Sequence, residues 1–174
     1  MVVRMKAITP KKLDPSPIMD AMEEGMRDGG EILKAAAQRV TSTWSDPPEF
    51  TVHVELGKTA RKGLQCTVTT EDKRWLWLDK GTGLWGPKHA KYPIPKVVGP
   101  GQKRLAFPSV FTPKSQPNSL RAGAGSSGGD TIVRIQVMHP GVEPRNFTKT
   151  IHKRYHSDFK KAVANAIAKW ARKR

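Results

Sequence analysis

From Ser16 onward the apolar residues Ile18, Met22, Met26, Leu33, Ala36, Val40 and Trp44 recur at three- and four-residue steps or their multiples, with charges between them. That period predicts a long amphipathic helix. Ser16 suits its N-cap and Pro17 its first turn, while Asp46-Pro47-Pro48 ends it firmly. Gly25 and the pair Gly29-Gly30 interrupt the pattern. Each weakens a helix by roughly 1 kcal/mol relative to alanine, so a kink or a close helix contact is expected there. Ahead of this helix, residues 2–8 alternate weakly and predict a short edge strand before breaks at Pro10, Pro15 and Pro17.

Two β-branched alternating runs follow, Phe50–Leu56 and Leu64–Thr70, joined by a hairpin loop at 57–63. Arg74–Asp79 alternates tryptophan and leucine and is expected as a third strand of a meander. Trp75 and Trp77 would then share one face, with Leu76 and Leu78 on the other. Such a strand is apolar on both sides, so one face would fill the core and the other would need a helix, a loop or a second subunit. Residues 81–102 hold five glycines and the prolines 87, 93, 95 and 100, and predict a long loop. Lys103–Phe107 is a brief strand. Residues 108–130 predict a second long loop that closes on the flexible tract Gly123–Gly129. Thr131–Val137 alternates as a last strand. Ser157 can cap a final helix with the apolar stripe Phe159, Val163, Ile167 and Trp170, leaving Lys160, Lys161, Lys169 and Arg172 outside.

The elements sum to one α+β domain over residues 1–174. In it an antiparallel sheet of four to six strands is packed by a long N-terminal helix and a C-terminal helix, with long loops at 81–102 and 108–130. Connections of that length usually serve a function or order only against a partner. The sequence shows no internal repeat.

Composition adds mainly charge. The 174 residues carry a formal net charge of +16, spread unevenly. Residues 1–50 hold 7 Lys/Arg against 8 Asp/Glu, residues 51–130 hold 13 against 5, and residues 131–174 hold 11 against 2. An acidic-to-neutral first third before a basic remainder can create a one-sided positive field, suited to a polyanion or an acidic protein partner; the alternative is that the lysines solvate loops. No run of 18 apolar residues predicts a membrane span. Met1–Lys6 lacks the apolar region of a secretory leader, so synthesis in a reducing cytoplasm is expected. The lone Cys66 excludes an intramolecular disulfide and suits core filling.

Catalytic chemistry finds little purchase. His152 and His156 have the four-residue spacing of helical metal ligands, but Lys153 and Arg154 lie between them and no Cys or carboxylate cluster is near in sequence. His139 precedes Pro140, where turn formation accounts for it. Neither Gly81-Thr82-Gly83 nor Gly123–Gly129 has the spacing of a phosphate loop, and no nucleophile elbow occurs. Glu55, Glu71, Asp72 and Asp79 are best explained as solvated carboxylates. No catalytic, metal or cofactor-binding residue is assigned, and an enzyme is not expected. Aromatics beside basic residues could stack on bases, but no RNA-recognition, KH or helix-turn-helix pattern appears. Core packing plus a subunit interface is the favoured role for Trp75 and Trp77.

Several short pieces stand in a fixed order. They are Asp79-Lys80-Gly81-Thr82 after an apolar run, Pro87-Lys88, Lys103-Arg104-Leu105-Ala106-Phe107, and His139-Pro140-Gly141-Val142-Glu143-Pro144-Arg145-Asn146-Phe147 before the final helix. This order resembles the head–tail connector or neck proteins (tail-completion, minor tail) of long-tailed, lambda-like bacteriophages. In that family the last turn has Thr where this chain has Val142. The stretch Ser109–Asp130 and the segment Lys11–Pro17 depart from the family pattern. The resemblance implies a non-enzymatic virion protein made in the host cytoplasm and placed at the neck or tail top. It would assemble with itself as a ring, hexameric by preference or twelvefold, against adjoining neck, connector or tail-terminator proteins. DNA crosses such a neck, which gives the positive charge a destination through non-specific contact. The candidate subunit-interface or DNA-facing residues are Trp75, Trp77, Lys88, Lys91, Lys96, Lys103, Arg104, Lys160, Lys161 and Lys169. The alternative is a standalone basic nucleic-acid-binding protein whose C-terminal helix tracks phosphates; steep salt dependence as a monomer or dimer would mark it.

Overall fold

A computed structural model describes residues 2–4, 16–56, 63–95, 100–101 and 103–173. The fold is α+β, with three α-helices and small antiparallel sheets among the described residues. The hairpin-loop residues 57–62, the segment Lys11–Pro15 and Lys96 lie outside the described residues. Among the described residues no helix is long and apolar enough to cross a membrane. The chain divides into two compact units, one drawn from Met1–Arg39, Pro48–Glu71 and Thr148–Arg174, the other from Val40–Pro47 and Asp72–Phe147.

The first unit contains most of helix α1 (Ser16–Thr41), the strands β1 (Val2–Arg4), β2 (Thr51–Leu56) and β3 (Leu64–Thr69), and nearly all of helix α3 (Phe147–Arg172). The strands form an antiparallel sheet in the order β1-β3-β2, with Val3 opposite Cys66 and Val54 opposite the same residue on the other side. Leu64, Cys66 and Val68 point into the core from β3, as its alternation requires. Helix α1 supplies Ala21, Met26, Leu33, Ala36 and Ala37, and α3 supplies Ile151, Phe159, Val163 and Ala166. The glycines explain how α1 fits between these layers. A Cβ at Gly25 would lie 2.6 Å from the Val163 Cα and 2.9 Å from the Ala166 Cβ, and one at Gly29 would enter the Phe159 ring. At Gly30 it would collide with Val52 of β2 and lie 2.9 Å from the Cys66 Sγ. The interruptions are therefore sites of close approach, to α3 on one face and to the sheet on the other.

The predicted stripe on α3 holds at Phe159 and Val163, but Ile167 and Trp170 are only half-buried, and Ala166 takes the next core position. The helix also begins ten residues before Ser157, at Phe147.

The second unit corrects one expectation outright. The Trp-Leu-Trp-Leu run is helix α2 (Lys73–Lys80), not a strand. Four consecutive apolar residues, Trp75–Leu78, cannot distinguish the two periods, and the flanks decide. Asp72 sits in extended backbone and its carboxylate accepts from the Arg74 N–H at 2.7 Å, an N-cap; Gly81, at φ 79°, ends the helix. Trp75 is buried while Leu76 and Trp77 are exposed, so the two tryptophans do not share a face.

Nor do the strands join one sheet of four to six. Among the described residues, besides the three-stranded sheet, there are two two-stranded ones, β4 (Tyr92–Ile94) with β7 (Val137–His139), and β5 (Leu105–Thr112) with β6 (Ser126–Arg134). The stretch 81–102 thus contains a 3₁₀ turn at Gly83–Trp85 and β4. Both ends of 108–130 belong to the β5–β6 ribbon, leaving 113–125 as its connection. A register shift lies between Pro108 and Val110, opposite Gly129 at φ 75°. Glycine there supplies the backbone of a β-bulge, so part of the glycine tract is strand.

Candidate functional site: a backbone clasp and an aromatic cleft

Two turns some sixty residues apart in sequence meet in the second unit. The Thr82 N–H donates to the Val142 carbonyl at 2.9 Å, and the Val142 N–H donates to the Thr82 hydroxyl at 3.0 Å. Leu84 N–H donates to the Pro140 carbonyl, Arg145 N–H to that of Leu78 and Asn146 N–H to that of Asp79. The last two satisfy carbonyls at the C-terminal end of α2, which a helix leaves without internal partners. Backbones come so close that side chains are excluded. A Cβ at Gly81 would lie 2.9 Å from the Val142 oxygen and from the Pro144 Cδ, and one at Gly141 would lie 2.7 Å from the Gly83 Cα. The Gly-Thr-Gly turn and the His-Pro-Gly-x-x-Pro turn thus form a single clasp. Phe147, which follows the second turn, has no exposed surface, and its ring lies 5.1 Å from that of Trp75.

Within the same unit lies an open cleft of about 940 Å³. Its walls include Trp44, Trp77, Tyr92 and Phe111, and its cations are Arg74, Lys114 and Arg145, with Glu143 the one acid. Arg74 is anchored by the Asp72 carboxylate and by Asp46, and its guanidinium lies 5.6 Å from the Trp44 ring centroid. That hydrogen bond from Arg74 holds the Asp72 carboxyl below the usual aspartate range and raises Arg74 in turn. Lys114 donates to the Thr43 carbonyl at 2.9 Å. His139 accepts the Gly141 N–H at Nδ1, which in a neutral ring places the proton on Nε2, and its ring packs on Tyr92 at 5.4 Å.

Arg145 differs from the other cations. Only 6% of it is exposed, its Nε is buried without a hydrogen-bond partner, and no carboxylate among the described residues forms an ion pair with it.

The sequence-based candidates are scattered over these features. Trp75 belongs to the core, whereas Trp77 is 53% exposed and lines the cleft. Lys88 and Lys91 are exposed between the 3₁₀ turn and β4, and Lys103 and Arg104 are exposed just before β5. Lys160, Lys161 and Lys169 are exposed on α3 in the first unit. Two of these already have partners, Lys161 with Asp158 at 3.6 Å and Lys169 with Glu24 of α1 at 2.9 Å. Sequence reading missed Arg74 and Arg145. The second stands inside the last turn motif, among prolines and a glycine that account for the turn without it.

Burial pushes the Cys66 thiol up to about 11, which leaves it protonated and unreactive at neutral pH. The His152 and His156 rings are 5.2 Å apart, yet no group of three or more His, Cys, Asp or Glu among the described residues is placed to hold a metal. No family model, curated protein or solved structure matches the chain.

Proposed function

We propose that this chain is a structural, non-enzymatic subunit of a bacteriophage neck, a tail-completion or head–tail joining protein that works as a ring around passing DNA. The observation that carries the reading is the β5–β6 ribbon and its continuation. Val110, Phe111, Val133, Ile135 and Met138 are all exposed, Phe111 by 71%. Two-stranded ribbons are marginal alone in water, and exposed apolar groups concentrated on one are accounted for by a neighbouring subunit. The clasp adds support, because it joins the two turns whose order resembles the neck family. Exposed Lys88, Lys91, Lys103 and Arg104 suit a channel crossed by DNA. The partners in this reading are further copies of the chain, hexameric by preference, and the adjoining neck, connector or tail-terminator rings; the location is the neck or tail top of the virion.

Deleting the gene from its phage should leave DNA-filled heads and separate tails, with joining restored by purified protein. Normal virions from the deletion strain, or absence of the protein from purified particles, refute the assignment. Steep salt dependence of DNA binding by a monomer or dimer would instead favour a standalone nucleic-acid-binding protein.

A further inference from the structure

We propose that the cleft of the second unit is a docking site for an extended segment of a partner protein, whose carboxylate side chain pairs with Arg145. A guanidinium carries its charge at any physiological pH. Burying it without a partner is among the costlier arrangements a protein can hold, because desolvation goes uncompensated. Here Arg145 as a residue is 94% buried, its Nε is buried without a hydrogen bond, and no ion pair compensates the guanidinium among the described residues. The neighbouring cations differ, since Arg74 is paired with Asp72 and Asp46, and Lys114, which donates to the Thr43 carbonyl, is exposed and keeps its charge in solvent. A carboxylate is the group whose geometry matches a guanidinium fork.

The lining selects the kind of molecule that bears it. Trp77 and Phe111 stand exposed on the cleft, apolar seats for side chains flanking the acid. A nucleic-acid strand is the poorer fit. It would require several free cations in a row along the phosphates, whereas among the described residues this cleft offers two without an ion pair, Arg145 and Lys114, with Glu143 in the same lining. A single acid between apolar residues on an extended segment matches the one buried cation beside the aromatics. The inference is independent of the neck assignment, since any protein partner with that pattern would satisfy it.

The test uses the full chain labelled with ¹⁵N and the synthetic peptide acetyl-Ser-Phe-Glu-Phe-Ser-amide, its Gln counterpart, and a ten-nucleotide oligo-dT. The readouts are the Arg145 Nε–Hε cross-peak, assigned by its loss in Arg145→Met, and tryptophan fluorescence. The Glu peptide should shift that cross-peak and quench fluorescence at least tenfold more tightly than the Gln peptide. Arg145→Met should remove that tenfold preference. The proposal is overturned if millimolar Glu peptide leaves the Arg145 signal unmoved or if the two peptides bind equally. Displacement of the signal by oligo-dT but not by peptide would overturn it in favour of nucleic acid.

Discussion

Gly25→Ala sets two effects of opposite sign against each other. Alanine is the better helix former by about 0.8–1 kcal/mol, and position 25 is interior to α1. On propensity alone the change should stabilise. The structure argues otherwise, because the new methyl carbon would lie 2.6 Å from the Val163 Cα and 2.9 Å from the Ala166 Cβ. Carbon atoms sit comfortably at about 3.5–4.0 Å, so α1 and α3 must separate by about 1 Å. The obstacle is helix backbone, not the tip of a flexible side chain, so it cannot step aside. Separation of that size forfeits a quarter to a half of the dispersion energy of each affected contact, and overpacking of this kind costs about 1–3 kcal/mol. A backbone obstacle belongs to the upper part of that range, about 2–3 kcal/mol, and with the propensity gain deducted a net loss of about 1–2 kcal/mol is expected. At 2–4 °C per kcal/mol for a chain of this size, the far-UV CD melting temperature should fall by about 2–8 °C. Gly29→Ala meets the Phe159 ring on the same helix face. The double variant should therefore lose less than the sum of the singles, since helices parted by one methyl make room for the next. An unchanged or raised melting temperature for Gly25→Ala would refute the close-packing argument and leave propensity as the governing term.

Four further outcomes follow from the packing and the charges. Phe147→Ala removes a fully buried ring stacked near Trp75 and should cost about 3–5 kcal/mol; urea unfolding monitored by tryptophan fluorescence would show it, and a shift under 1 kcal/mol would contradict the burial. Asp72→Ala removes the N-cap of α2 together with the anchor of Arg74, for about 1 kcal/mol at pH 7. Because Asp72 titrates below the ordinary aspartate value, its contribution is present above the unfolded pKa of about 3.9. It is lost as pH falls through the lower folded value, so wild type and variant should converge in strong acid. Lys169→Glu faces Glu24 and should lower the melting temperature slightly, with recovery in the Lys169→Glu/Glu24→Lys pair. Lys160→Glu with Lys161→Glu should leave folding intact and weaken binding to polyanions or acidic partners, and undiminished binding would reduce this face to solvation.

Legibility in the sequence followed from how local each determinant is. Helix α1 could be read because 26 residues give its period several turns to show, and the strands β2 and β3 because β-branched alternation survives in both. The first turns of α3 were hidden by the polar residues from Thr148 to Ser157, where Ile151 is the one buried residue. The run Trp75–Leu78 misled because its period is ambiguous and its cap, Asp72, looked like an ordinary surface acid. Of the β5–β6 ribbon only the parts at Lys103–Phe107 and Thr131–Val137 were expected as strand; the remainder escaped because most of its residues are exposed. Of the site, Trp77 and the two turn motifs were visible as residues, but their meeting was not. Nor was the isolation of Arg145, which depends on groups distant in sequence failing to reach it.

The clasp also carries a kinetic consequence. The β5–β6 ribbon closes only the connection 113–125, and a loop of roughly ten residues closes within about 10–100 ns. Joining Thr82 to Val142 instead requires fixing the ends of a sixty-residue excursion, whose entropy is spent before any of its hydrogen bonds are gained. The second unit is therefore expected to fold from the ribbon inward, with the two turns meeting after the rate-limiting step. A strained residue in the clasp, such as alanine at Gly141 with its φ of 98°, should then steepen escape from the native state while leaving the refolding limb of a chevron almost unmoved. A matching slowdown in refolding would place the meeting of the turns at the start of folding. Under the expected order, the clasp governs how long the folded unit persists, not how quickly it is reached.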